Sequence, residues 1–170
     1  MEFKRLINER FSCKKFSTRK VEEEKLQAIL EAGNLAPTAV NAQPYRVYVL
    51  ESPEALAKLD ALTPCRYNAP TVLLLVYEEK EEWKNPFQPD IHSGVEDVSI
   101  IATHMMLAAK DEGIDSCWIN YFGNSALEQA FGLPSTEHSV LLLDLGYSDN
   151  FAPLPKHTQK KPLDQIVKRI

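Results

Sequence analysis

The sequence predicts one layered domain of the α/β or α+β class, and three observations carry that prediction. Segments with helical apolar spacing alternate with short β-prone runs along all 170 residues. Residues 71–77 are almost wholly apolar and rich in Val and Leu, as a strand covered on both faces would be. No internal repeat, low-complexity tract or linker-like stretch divides the chain, and 44% hydrophobic residues are enough for a single sizeable core over 1–170.

Taken in order, residues 2–10 form a helix whose Phe3, Leu6 and Ile7 share a face. A second helix over 22–35 packs through Leu26, Ile29, Leu30 and Gly33, and its acidic start, Glu22 to Glu24, suits the positive end of the helix dipole. Residues 46–51 read as a strand, and Ser52-Pro53-Glu54 then opens a helix to about Leu62, which suggests a crossover unit leading into the central strand at 71–77. Residues 78–93 mix charges with Trp83, Pro86, Phe87 and Pro89 and read as a loop. Residues 95–112 make the strongest helix, apolar around most of its circumference and suited to the interior or to a subunit interface, with Gly113 as its stop. A strand over 116–122, a short helix over 125–131 and a buried strand over 139–145 complete the pattern.

Composition excludes several classes of function. A net charge of -5 argues against a dedicated nucleic-acid surface, which needs clustered cations against phosphate. No apolar run approaches the ~20 residues that span a bilayer, and the charged amino end has no signal-peptide core behind it, so a cytoplasmic protein is expected. Cys13, Cys65 and Cys117 are odd in number and widely spaced, which fits reduced, packed thiols, Cys13 beside Phe11 or Phe16. His92, His104, His138 and His157 form no ligand spacing with them, so no metal is expected, and neither a dinucleotide glycine fingerprint nor a nucleophile elbow is present.

Two segments carry chemistry. Arg10-Phe11-Ser12-Cys13-Lys14-Lys15-Phe16 gathers a guanidinium, a hydroxyl and ammonium groups that together can grip phosphate. Read alone, it is also an ordinary cationic helix end. Residues 36–44, Ala-Pro-Thr-Ala-Val-Asn-Ala-Gln-Pro, form a proline-bounded turn with amide side chains, and read alone they are an ordinary loop. The two become specific through their order, with one amphipathic helix between them and a strand after.

In that order the chain resembles the FMN-dependent nitroreductase family. Arg10, Ser12, Lys14 and Phe16 match its opening Arg-x-Ser-x-Arg/Lys-x-Phe, and Ala36, Pro37, Asn41, Gln43 and Pro44 match its Ala-Pro-Ser-x-x-Asn-x-Gln-Pro, with Thr38 where serine is usual. Ala69-Pro70, the helix at 97–109, Gly146-Tyr147 and Lys160-Lys161-Pro162 extend the likeness over nearly the whole chain. The resemblance implies a three-layer α/β/α fold of the α+β class, with a central mixed, mainly antiparallel sheet, in a homodimer with FMN at the subunit interface. It implies an NAD(P)H oxidoreductase in which FMN takes hydride at N5 from NADH or NADPH and passes it to a small-molecule acceptor in a second step. No catalytic side chain is then required. Arg10, Phe11 and Ser12 would hold the phosphate and ribityl chain, Lys14 the N1 and C2 carbonyl edge, and Lys160 and Lys161 the anion from the far end of the chain.

By the same resemblance, Pro37, Thr38, Ala39 and Asn41 reach the flavin of the neighbouring subunit, the Asn120 amide faces N5, and Arg66 reaches the pyrimidine edge. Several bland roles stay open beside these: a solvated tail for the lysine pair, core packing for Met105 and Met106, turn stabilisation for Gln43. The short 78–93 loop implies an open pocket, with Trp83 or Phe87 either stacking over substrate or packing locally. The competing readings are a non-catalytic flavin-binding or sensing protein on the same scaffold, and a dimeric interaction protein with an incomplete FMN site.

Overall fold

The computed structural model describes residues 2–170. Its centre is an antiparallel sheet with strand order β1-β2-β4-β3, formed by β1 (Tyr45–Leu50), β2 (Thr71–Glu78), β3 (Asp115–Ile119) and β4 (Glu137–Gly146). β2 and β4 lie inside, registered from Thr71↔Leu145 to Glu78↔Glu137. Both strands are apolar on both faces, so each face needs a cover, and fully burying each Val or Leu contributes about 1.5–3 kcal/mol.

One face is covered by α2 (Glu23–Asn34) and α4 (Gly94–Asp111), whose Leu26, Ile29, Val98, Ile101 and Met105 pack on Leu73, Leu75, Leu141, Leu143 and Leu145. The other face meets α3 (Pro53–Asp60), α5 (Asn124–Phe131) and the irregular segment after α1 (Phe3–Glu9), through Leu59, Leu127, Cys13 and Phe16 on Val72, Leu74, Val76, Cys117 and Leu142. These are the three layers of an α+β fold. A short helix, α6 (Leu163–Ile166), lies near the end of the chain.

Local chemistry sets the boundaries. Ser52 caps α3 by accepting from the Ala55 N–H at 3.1 Å, with Pro53 at its first position. Gly113, at φ 74, sits just beyond α4 in the left-handed conformation that glycine adopts without strain.

Three expectations change. β1 pairs with β2 antiparallel (Tyr45↔Tyr77), so α3 links neighbouring antiparallel strands and does not form a parallel crossover; apolar periodicity specifies a strand but not its direction. β3 ends at Ile119, leaving Asn120 to Phe122 outside it. The register of β4 slips between Leu75↔Leu141 and Val76↔Ser139, so Val140 is an extra residue there, and its carbonyl accepts from Asn120 Nδ2 at 2.7 Å in place of a continuing ladder. On α1, Leu6 is buried, whereas Phe3 and Ile7 are exposed.

The α2–α4 contact is tight enough to test. A Cβ on Gly33 would lie 2.2 Å from Met105 Cε and 2.8 Å from its Cγ, and Met105 is itself buried. Alanine gains about 0.8–1.0 kcal/mol over glycine within a helix, but overpacking costs about 1–3 kcal/mol. Gly33→Ala is therefore expected to lower stability in urea unfolding by about 1 kcal/mol. In combination with Met105→Ala, the total loss should be smaller than the sum of the single losses.

Candidate functional site

A cleft of about 450 Å³ opens where four segments of the second face converge. Its walls are Phe11, Ser12 and Lys14 from the amino-terminal segment, Cys65 and Tyr67 from the turn after α3, residues 117–121 at the end of β3, and Leu154, Lys156 and His157 from the carboxyl-terminal segment.

The amino-terminal segment has no regular secondary structure, yet its backbone is fixed. The Cys13 N–H donates to Ser116 O at 2.9 Å, Phe16 N–H to Tyr67 O at 3.0 Å and Ser17 N–H to Tyr147 O at 2.8 Å. Cys13 and Phe16 are the anchors buried beneath it, and with them inside, Ser12, Lys14 and Lys15 face outward. Across the cleft, Thr63 is buried; its hydroxyl donates to Tyr121 O at 2.7 Å and accepts from the Cys65 N–H at 3.2 Å, which ties the turn to the end of β3. The carboxyl-terminal wall is held by Phe151 stacked on Phe11, with ring centroids 6.3 Å apart, and by His157 Nε2 at 3.3 Å from Asn8 O.

The charges of the cleft are one-sided. Lys14 and Lys156 form no ion pair among the described residues, whereas Lys15 is paired with Asp149 at 3.1 Å. Beneath the cleft, Asp144 on β4 is fully buried, and neither carboxylate oxygen has a hydrogen-bond partner among the described residues. It stands in register with Cys117 on one side and Val72 on the other. Burial raises its pKa well above the ordinary carboxylate value, only partly opposed by Arg66, so its carboxyl is held toward the neutral form. Burial, followed by Asp144, pushes the Cys117 thiol up to about 12, with nearby Lys14 opposing, and burial likewise raises Cys13. A floor whose acid and thiols are pushed by burial toward their neutral forms, beneath Lys14 and Lys156 without ion pairs among the described residues, favours an anionic ligand.

The residues singled out from the sequence divide into three sets. Phe11, Ser12, Lys14 and Asn120 line the cleft together, and Arg10 lies just before them at the end of α1, its side chain without a partner among the described residues. The Asn120 side chain accepts from Trp118 Nε1 and donates to Val140 O, so within the chain it is already engaged. Pro37, Thr38, Ala39 and Asn41 do not line this cleft; they form a separate turn beside α4, where the Ala39 N–H donates to Asp97 Oδ1 at 2.8 Å.

Arg66 does not line this cleft. One edge of its guanidinium, Nε and Nη2, donates to the two Asp60 carboxylate oxygens and Nη1 donates to Ala69 O at 2.7 Å, which places it in a neighbouring depression with Phe16, Asn68 and Pro70. Lys160 and Lys161 are exposed and do not line the cleft either, while the earlier Lys156 and His157 do. The Lys-His pair lay outside the family-like motif; the Phe11–Phe151 contact that sets its position joins residues 140 apart in sequence. Trp83 is part-buried and Phe87 projects into solvent, and neither reaches the cleft.

Among the described residues no cluster of three or more His, Cys, Asp or Glu could hold a metal ion, and no helix is long and apolar enough to cross a membrane.

The chain matches the sequence profile of the Nitroreductase family over residues 7–66 and 64–147. It is 33% identical to a nitroreductase family protein of Clostridium difficile 630, whose crystal structure superposes with a TM-score of 0.93 over 99% of this chain and 98% of that one. A candidate NADH dehydrogenase/NAD(P)H nitroreductase of Archaeoglobus fulgidus is 27% identical, covering 92% of this chain and 97% of its own length. A candidate nitroreductase of Exiguobacterium sibiricum 255-15, solved in complex with FMN, shares the fold at a TM-score of 0.87 over 100% of this chain and 98% of that one, with 21% identity.

The buried acid gives a signed prediction. Because its folded pKa lies above the unfolded value, the folded state binds more protons than the unfolded chain between the two. Its contribution to stability is complete below the unfolded pKa and is lost as pH rises through the folded pKa. Asp144→Asn removes that titration, so the melting temperature of the variant relative to the parent should rise from pH 4 to pH 8. A difference flat in pH would contradict the neutral buried carboxyl.

Proposed function

Because the chain belongs to the nitroreductase family, we propose that it is a single-domain, cytoplasmic, homodimeric FMN-dependent oxidoreductase that carries electrons from NADH or NADPH to nitroaromatics, quinones or another conjugated acceptor. The observation that carries this reading is the cleft itself, lined by Lys14 and Lys156 with no ion pair among the described residues, above a buried Asp144 whose pKa burial raises. Its volume falls in the range of about 300–1,000 Å³ usual for ligand clefts.

FMN fits the donors present. Arg10, the Ser12 hydroxyl, Lys156 and His157 would hold its phosphate and ribityl chain, and Lys14 its electron-poor pyrimidine edge. Tyr67 and Trp118 offer aromatic surface for the ring, and residue 120 would present its backbone N–H toward N5 because its side chain is engaged by Trp118 and Val140. When bound, FMN supplies the two-electron hydride exchange itself. The protein's part is orientation, exclusion of water, and stabilisation of negative charge at the edge facing Lys14.

A second copy would complete the site. The cleft is open on one side, and the family-like turn at residues 37–41 stands away from it with Val40 77% exposed, as is Leu35 at 81% just after α2. Phe3 and Ile7 on α1, Val95 and Ile100 on α4, and Leu163, Ile166 and Val167 near the chain end also leave apolar surface uncovered, which favours association. In that arrangement Pro37, Thr38, Ala39 and Asn41 meet the partner's flavin.

A charge-assisted hydrogen bond contributes about 1.5–3 kcal/mol, so Arg10→Ala and Lys14→Ala should each weaken FMN binding at least about tenfold in fluorescence titration of the apoprotein, with little change in melting temperature. Asn41→Ala should weaken binding through the neighbouring subunit. Initial rates with NAD(P)H and a quinone should give parallel double-reciprocal lines, since donor and acceptor use the same face in turn. Intersecting lines, or variants that bind FMN as tightly as the parent, would reject the reading.

A further inference from the structure

One buried charged group takes no part in the cleft. Asp97, in the first turn of α4, is 2% exposed. Its Oδ1 accepts from the Ala39 N–H at 2.8 Å, and its Oδ2 has no hydrogen-bond partner among the described residues. The turn it holds is a strained one. Val40 has φ 48, Asn41 φ 57 and Gln43 φ 52. Left-handed backbone is rare for a β-branched residue, and strain of this kind persists where the surroundings over-determine it.

Those surroundings can be named. Within the turn, the Asn41 N–H donates to Thr38 O at 3.0 Å, the Ala42 N–H to Ala39 O at 2.9 Å and the Gln43 N–H to Thr38 Oγ1 at 3.1 Å. The Asp97 bond is different in kind because it ties the turn to another element. Asp97 does not cap its own helix with this bond, since Oδ1 accepts from Ala39 in another element. Nor is Asp97 needed to offset the dipole of α4, since the exposed Glu96 supplies the same charge from the solvent side. What the bond does supply is a fixed position for the turn relative to α4.

We propose that Asp97 is a positioning residue that locks the turn at Ala39–Asn41 so that it reaches the flavin cleft of a second copy of this chain, and that it thereby sets flavin affinity in trans. The proposal rests on the shared-cleft reading given above. Asp97 touches neither flavin nor substrate; Pro37, Thr38, Ala39 and Asn41 meet the flavin, and the buried carboxylate holds their backbone in place.

The test is equilibrium FMN titration combined with mixed dimers. Asp97→Ala and Asp97→Leu, the latter keeping the buried volume filled, should weaken FMN binding about tenfold or more while the dimer and the thermal melt persist. Asp97→Asn, whose side-chain oxygen can still accept from Ala39, should restore most of the affinity. Dimers mixed from Asp97→Ala and Arg10→Ala chains should regain about one tight FMN site per dimer. The Asp97→Ala chain still has a sound cleft, and it receives the sound turn of its partner.

Parent-like affinity in both the Ala and Leu variants would overturn the proposal. So would mixed dimers with no regained site, which is the outcome if Asp97 acts within its own chain. A parent protein that binds no FMN, or binds it as a monomer, would instead overturn the shared-cleft reading itself, and that result is read before any variant is made.

Discussion

Strands β2 and β4 pair at the centre of the sheet with apolar side chains on both faces, and no arrangement that leaves either face in water is stable. The rest of the architecture answers that requirement. The long apolar stripe of α4, with α2 packed beside it, closes one face. The other face has more area than α3 and α5 cover, and the irregular segment carrying Cys13 and Phe16 fills the remainder. Burying those two side chains is what turns Ser12 and Lys14 outward on a backbone held at Ser116, Tyr67 and Tyr147. The cleft is thus a consequence of core packing: its chemical groups stand on a stretch of chain recruited to cover a sheet.

Electrostatics follows from the same layering. A carboxyl in the central pair, Asp144, sits where water does not reach and is driven toward its neutral form, and burial pushes the neighbouring Cys117 and Cys13 thiols in the same direction. Had these groups been ionised, they would have cancelled Lys14 and Lys156. A buried carboxyl without a hydrogen-bond partner among the described residues costs stability, by about 1–3 kcal/mol for an unsatisfied buried polar group. The site accordingly trades stability for a cleft of one sign, as functional sites often do.

Much of this was legible in the sequence. Helices and strands emerged within a residue or two wherever apolar spacing was strong, as in α4 and β2, and the motif from Arg10 to Phe16 marked one wall of the cleft. What was hidden depended on contacts between distant residues. Strand direction does not appear in a two-residue period, so β1 and β2 read equally well as a crossover. The pairing of Arg66 with Asp60, on the end of α3, leaves no mark in the local sequence. Asn120 read as strand because the extra residue at Val140 that interrupts the pairing lies on another strand. Lys156 and His157 are brought in by a ring contact between Phe11 and Phe151. Asp97 left a trace that could have been followed: an acid beside Val98 and Ile101 on the buried stripe of a helix, which an acidic helix start does not explain.

The central claim is that this cleft holds a flavin that a nicotinamide can reach. The most direct measurement is the visible spectrum of the purified, FMN-reconstituted protein under anaerobic conditions, before and after NADH or NADPH and then after a quinone. The account predicts a bound-flavin band that bleaches with at least one of the two nicotinamides and returns with the quinone. Protein that takes up no FMN, or bound FMN that neither nicotinamide bleaches, would contradict it.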